Sequence, residues 1–146
     1  MIEELYACAN AVHAACAATE TGADALEALI RTYIGYFLPR LALHQLVNLH
    51  AIPAAEAKVT AEQLARIRPI NDLLYAEAEK RLLAESRGKR RDRARRQAFV
   101  AHLAAIGMLT MRALVDKVRD PLIHSDAELV DELVRTFRAG AEKGRP

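Results

Sequence analysis

Residues 98–115, AFVAHLAAIGMLTMRALV, contain only three polar side chains, His102, Thr110 and Arg112. A helix over this stretch has almost no face suited to water and must be buried nearly all round. Three surroundings satisfy that demand: a membrane, the centre of a monomeric core, or a position between its own domain and a partner. Arg112 would cost about 2.5–3.5 kcal/mol at the centre of a bilayer, and the chain has no second span, so a membrane location is set aside. The partner explains more than the monomer core does. Gly107 sits mid-helix at a cost of about 1 kcal/mol relative to alanine, and close approach of another backbone compensates it.

Working outward, the chain reads as helix throughout. Val, Ile and Thr nowhere alternate with polar residues over a strand length, so the expected class is all-α. At 146 residues and 52% hydrophobic, residues 1–146 are expected to form one domain with its own core. A first helix is predicted over 2–19 from Leu5, Ala9, Val12 and Cys16, with Thr21-Gly22 as its stop. Asp24 with Glu27 resembles the cap of a second helix, along which Leu26, Leu29, Ile30, Tyr33 and Phe37 form one stripe. Pro39 ends or kinks it, and Leu43, Leu46, Val47 and Ile52 continue the period as far as Pro53.

Thr60 and Gln63 have capping-box spacing. Pro69 should interrupt the helix they start, and a longer one should restart there with Ile70, Leu74, Ala78 and Leu82 on one face, ending at Gly88. The long helix is predicted over 93–118, stopping before Asp120-Pro121. A last one starts at Ser125, with Glu128 completing a second capping box and Leu129, Val130, Leu133, Val134 and Phe137 on its apolar face.

Charge is unevenly spread. The chain carries a net +2, yet residues 87–96 hold Arg87, Lys89, Arg90, Arg91, Arg93, Arg95 and Arg96 against Asp92 alone, so the remainder is acidic. This segment reads as a solvated connector and helix start, or as a contact for an acidic partner or a nucleic-acid backbone. The acidic start, Met1-Ile2-Glu3-Glu4, differs from a secretory or mitochondrial leader, and a cytoplasmic protein is expected. Cys8 and Cys16 lie roughly 12 Å apart along one helix, beyond the about 7 Å a disulfide allows, and read as small core residues.

Catalytic signals are weak. The histidines at 13, 44, 50, 102 and 124 show no i, i+4 pairing and no Glu-x-x-His motif, so neither a metal site nor a di-iron bundle is expected. Ser86 and Ser125 fall at helix ends outside any nucleophile elbow, and the six glycines form no phosphate cradle. The chain therefore reads as a binding protein rather than an enzyme, with no cofactor. His44 and Asn48 project from one helix face, and with Tyr33, Tyr36, Phe37, Asn71, Tyr75 and Thr110 they are the candidate walls of a ligand pocket; each also fits ordinary packing.

The order of elements, and the stretch 120–141 (DPLIHSDAELVDELVRTFRAGA), resemble the C-terminal effector and dimerisation region of the tetracycline-repressor (TetR) family of bacterial transcriptional regulators. The resemblance covers nearly the whole chain and rests on the helix pattern, the long helix with its central glycine, and the closing helix. It implies a homodimer whose last two helices pair with those of a second protomer in a four-helix bundle. The expected interface is Ala104, Gly107, Met108, Met111 and Val115 with Leu129, Leu133 and Phe137. It also implies a pocket for a small, largely apolar effector among the middle helices.

The family's N-terminal helix-turn-helix has no counterpart here. Residues 60–83 echo it superficially, but no glycine occupies the turn and Pro69 falls between the two candidate helices. DNA contact by this chain alone is not expected. Two readings stay open, an effector domain separated from its reader and a stand-alone binding module. A helical interaction module using residues 87–96 is the alternative from a different class.

Overall fold

The computed structural model describes residues 2–51, 60–86, 91–118 and 124–143, without the side chains of 49–51 and 117–118. Among the described residues the chain is all-helical: α1 (Ile2–Ala17), α2 (Gly22–Phe37), a 3-10 turn (Leu38–Arg40), α3 (Leu41–Ala51), α4 (Ala61–Glu85), α5 (Arg91–Val118) and α6 (Asp126–Glu142). The parts of the sequence reading that fall on Ile52, Pro53, Arg87, Gly88, Lys89, Arg90, Asp120 and Pro121 lie outside the described residues.

α2 is the axis of the core. Leu26, Leu29, Ile30, Tyr33 and Phe37, the stripe expected from the sequence, are all buried, together with Ile34. α1, α4, α5 and α6 pack around them. The cap of α2 differs from the expectation: Thr21, not Asp24, is the N-cap, and its hydroxyl accepts from the Asp24 amide at 3.1 Å. The stop and the start therefore share the Thr21-Gly22 pair. Gly22 is required there by packing, since a Cβ would stand 2.7 Å from Leu82 Cδ2 and 3.1 Å from Leu82 Cα.

α1 ends two residues earlier than its apolar period suggests. Arg81 of α4 donates to the carbonyls of Ala17 at 2.8 Å and Thr19 at 2.6 Å, satisfying acceptors that a helix C-terminus leaves open. Both predicted capping boxes form, Thr60 with Gln63 and Ser125 with Glu128. Pro69, expected to divide α4, lies inside one continuous helix. Proline cannot donate to the carbonyl of Ala65 four residues earlier, and because both residues are exposed the loss is not a buried one. Pro39 has the larger effect and falls in the 3-10 segment that separates α2 from α3.

α5 departs most from the expectation of burial all round. Its inward side is a seam of small residues, Ala94, Ala98, Ala101, Ala105 and Ala113, with His102 and Leu109. That seam lies against α2, α3 and α4. The bulky apolar side chains turn the other way: Phe99, Val100, Leu103, Met111 and Leu114 are each 43–55% exposed. Alanines bring two helix axes close, so the large residues are left for the outer face. The helix is long and apolar enough by composition to cross a membrane; Arg112 within it pairs with Asp116 and Asp126.

α6 lies along α2, held by Arg138 bridging Asp24 and Glu27 at 2.7 Å each and by Arg31 to Asp131 at 2.9 Å. Of the interface residues expected on α6, Leu133 and Phe137 pack half-buried against the protomer's own core, and Leu129 is half-buried as well. The outer side of α6 presents Glu128, Asp131, Glu132, Arg135 and Thr136. On α5, Gly107 and Met111 are exposed in the single protomer, whereas Ala104, Met108 and Val115 are half-buried. The exposed apolar stripe also takes in Val100, Leu103 and Leu114, which the sequence reading left out.

Candidate functional site

A cavity of about 190 Å³ lies among α1 to α5. Leu5 and Cys8 come from α1, Tyr33 from α2, and Val47 and Asn48 from α3. α4 supplies Ile67, Ile70, Asn71, Leu74 and Tyr75, and α5 supplies Phe99, His102, Leu103 and Ile106. No ionisable carboxylate, lysine or arginine is among these residues. The walls are apolar, with a few uncharged polar groups, the usual make-up of a small-molecule site.

Tyr75 and His102 form the polar centre. The Tyr75 hydroxyl stands 2.5 Å from His102 Nδ1 and is buried. It has no other acceptor among the described residues, so the phenol donates and the neutral imidazole carries its own proton on Nε2. Nε2 is buried and has no hydrogen-bond partner among the described residues. Burial, reinforced by His44, pushes the His102 pKa down to about 4, which keeps the ring neutral near pH 7. Burial also raises the Tyr75 pKa, against the opposing charge of Arg95, whose guanidinium lies 5.3 Å from the Tyr75 ring centroid.

Tyr33 stands edge-on to His102 at 4.5 Å between centroids and tilts against Phe37 at 5.2 Å. Burial raises its pKa, with the Asn48 side chain acting in the opposite sense. Asn48 is itself fixed by donating to the His44 carbonyl at 2.8 Å. Cys8, a free thiol in the wall, is pushed up to about 12 by burial and is unreactive as a nucleophile near neutrality. Cys16 lies outside the cavity and donates weakly to the Ala25 carbonyl at 3.3 Å.

Of the eight residues selected from the sequence, Tyr33, Asn48, Asn71 and Tyr75 line the cavity. The other four do not. Tyr36 donates to Glu4 at 2.7 Å on the outer side of α2, beneath Arg40. Phe37 is fully buried behind Tyr33. Thr110 is exposed and satisfies its hydroxyl on the Ile106 carbonyl at 2.9 Å, the local bond such residues make within a helix. His44 is fully buried against Phe37 at 5.2 Å, with neither ring nitrogen partnered among the described residues. Burial lowers its pKa to about 4.

The sequence reading missed His102, Cys8 and Phe99. His102 carried a usable signal, because it is one of three polar residues in an eighteen-residue apolar stretch and, unlike Arg112, lacks the reach to escape to water. The basic segment is partly engaged within the protomer: Arg91 pairs with Glu79 at 3.3 Å, and Arg95 with Glu79 at 3.2 Å and Asp72 at 2.5 Å. Among the described residues, no group of three or more His, Cys, Asp or Glu is placed to hold a metal ion. No protein-family model matches the chain, and neither a curated protein nor a solved structure matches it.

Proposed function

We propose that this chain is a ligand-sensing, homodimerising effector module of the kind the TetR resemblance implies, in which a small, largely apolar molecule enters the cavity between α1 and α5. The observation that carries this reading is the cavity itself, a largely apolar, uncharged chamber with the hydrogen-bonded Tyr75 and His102 among its wall residues. Its few polar groups, Tyr33, Asn48, Asn71, Tyr75 and His102, can orient a ligand that its apolar walls enclose.

The second copy is argued from the outer face of α5. Val100, Leu103, Gly107, Met111 and Leu114 are all exposed, and they are spaced symmetrically about Gly107. A two-fold axis through Gly107 sets Val100 against Leu114 and Leu103 against Met111 in antiparallel pairing, the self-complementary pattern of an isologous interface. An added Cβ at Gly107 meets nothing within 4 Å among the described residues of its own protomer, so no packing contact among them calls for a glycine. Bare backbone there lets two helices approach closely. Because α5 also walls the cavity, a ligand that prefers one placement of α5 alters the angle between protomers.

Sedimentation at micromolar concentration tests the assembly. The wild-type chain is expected to be a dimer and Gly107→Leu a monomer with unchanged helix content. A monomeric wild type would overturn the dimer, and a dimeric Gly107→Leu would move the interface elsewhere.

A further inference from the structure

The cavity adjoins a second hollow. A groove of about 290 Å³ on the surface between α4 and α5 shares Ile67, Asn71, Tyr75 and Phe99 with it. The groove adds Leu64 and three guanidinium groups, Arg68, Arg95 and Arg96. The inner chamber is uncharged and the outer one is cationic, with Tyr75 and Phe99 between them.

The three arginines are not equivalent. Arg95 is neutralised by Asp72 and Glu79 and lies over the Tyr75 ring. Arg68 makes no ion pair among the described residues, and Arg96 uses only its Nε, on the Asp92 carbonyl at 3.2 Å. Both are exposed, and neither has an acidic partner among the described residues. Two guanidiniums facing one groove attract an anion and can hold it with paired N–H donors.

Resting on the reading of the cavity as a ligand site, we infer that the ligand is an amphipathic anion. Its apolar chain fills the inner chamber, and its carboxylate or phosphate monoester lies in the groove against Arg68 and Arg96. The inner volume holds about six groups of water size at roughly 30 Å³ each, which suits a medium-length alkyl chain. Neutral walls throughout the chamber exclude a charge from the deep end, so the charged head must sit outward.

Calorimetric titration of the full chain with octanoate, octyl phosphate and octanol, each below its aggregation concentration, tests this. At least one of the two anions is expected to bind about tenfold or more tightly than octanol, with affinity falling as salt rises. Which anion binds tighter tells carboxylate from phosphate. In Arg68→Gln/Arg96→Gln that advantage should vanish while octanol binding is unchanged; both sites are exposed, so folding is preserved. Equal binding of all three probes, or an advantage that survives the double substitution, overturns the anionic head but leaves the cavity reading standing. Failure of all three to bind overturns both.

Discussion

The Tyr75 hydroxyl lies 2.5 Å from His102 Nδ1, joining α4 to α5 through a buried hydrogen bond between two wall residues of the cavity. Removing the donor leaves both buried nitrogens of the His102 ring without a partner among the described residues. Tyr75→Phe is expected to destabilise the fold by about 1–3 kcal/mol in urea denaturation and to weaken ligand binding. An unchanged midpoint would mean that the bond contributes nothing to folding.

His44 and His102 make stability depend on pH. Both are held near pKa 4 in the folded chain, against 6.5 for an ordinary imidazole. Below pH 6.5 the unfolded chain takes up protons that the folded chain refuses. Stability is therefore complete above about pH 6.5 and is lost as the pH falls towards 4, on the order of 3 kcal/mol per histidine. Denaturation curves between those values check this, and His44→Leu should flatten the profile.

At neutral pH the same His44→Leu substitution is expected to raise stability by about 1 kcal/mol. Both imidazole nitrogens are buried without partners, and an apolar side chain of similar size removes that penalty. A loss of more than 1 kcal/mol would show that packing against Phe37 and Tyr33 outweighs it.

Two glycines should respond in opposite directions. Gly22→Ala forces a Cβ to within 3.1 Å of the Leu82 backbone and should destabilise by about 1–3 kcal/mol. Gly35→Ala, in α2 but with nothing among the described residues within 4 Å of the new Cβ, should stabilise by about 1 kcal/mol through helix propensity. Thermal melts of the two variants compared with wild type distinguish packing from propensity.

Arg81 holds the end of α1 from α4. Arg81→Ala removes the donors to the Ala17 and Thr19 carbonyls and the pairing with Glu77. A destabilisation of about 1–3 kcal/mol is expected, with faster amide exchange in the last turn of α1. Exchange unchanged at Ala17 would mean that α1 ends independently of α4.

What the sequence determined by itself is local. Hydrophobic period placed the helices, and Thr60 with Gln63 and Ser125 with Glu128 placed two of their starts, because caps and amphipathic stripes are formed within a few residues of one chain. Tyr33, Asn48, Asn71 and Tyr75 were legible as wall residues, since polar or half-polar side chains on core stripes need enclosed partners. Only tertiary structure decided which side of α5 faces inward. The sequence shows apolar residues all round that helix, and packing distance, not hydrophobicity, put the alanines against α2 and left Phe99, Val100, Leu103, Met111 and Leu114 outside. The same placement brought His102 to Tyr75 across a separation of 27 residues, a contact no local pattern encodes.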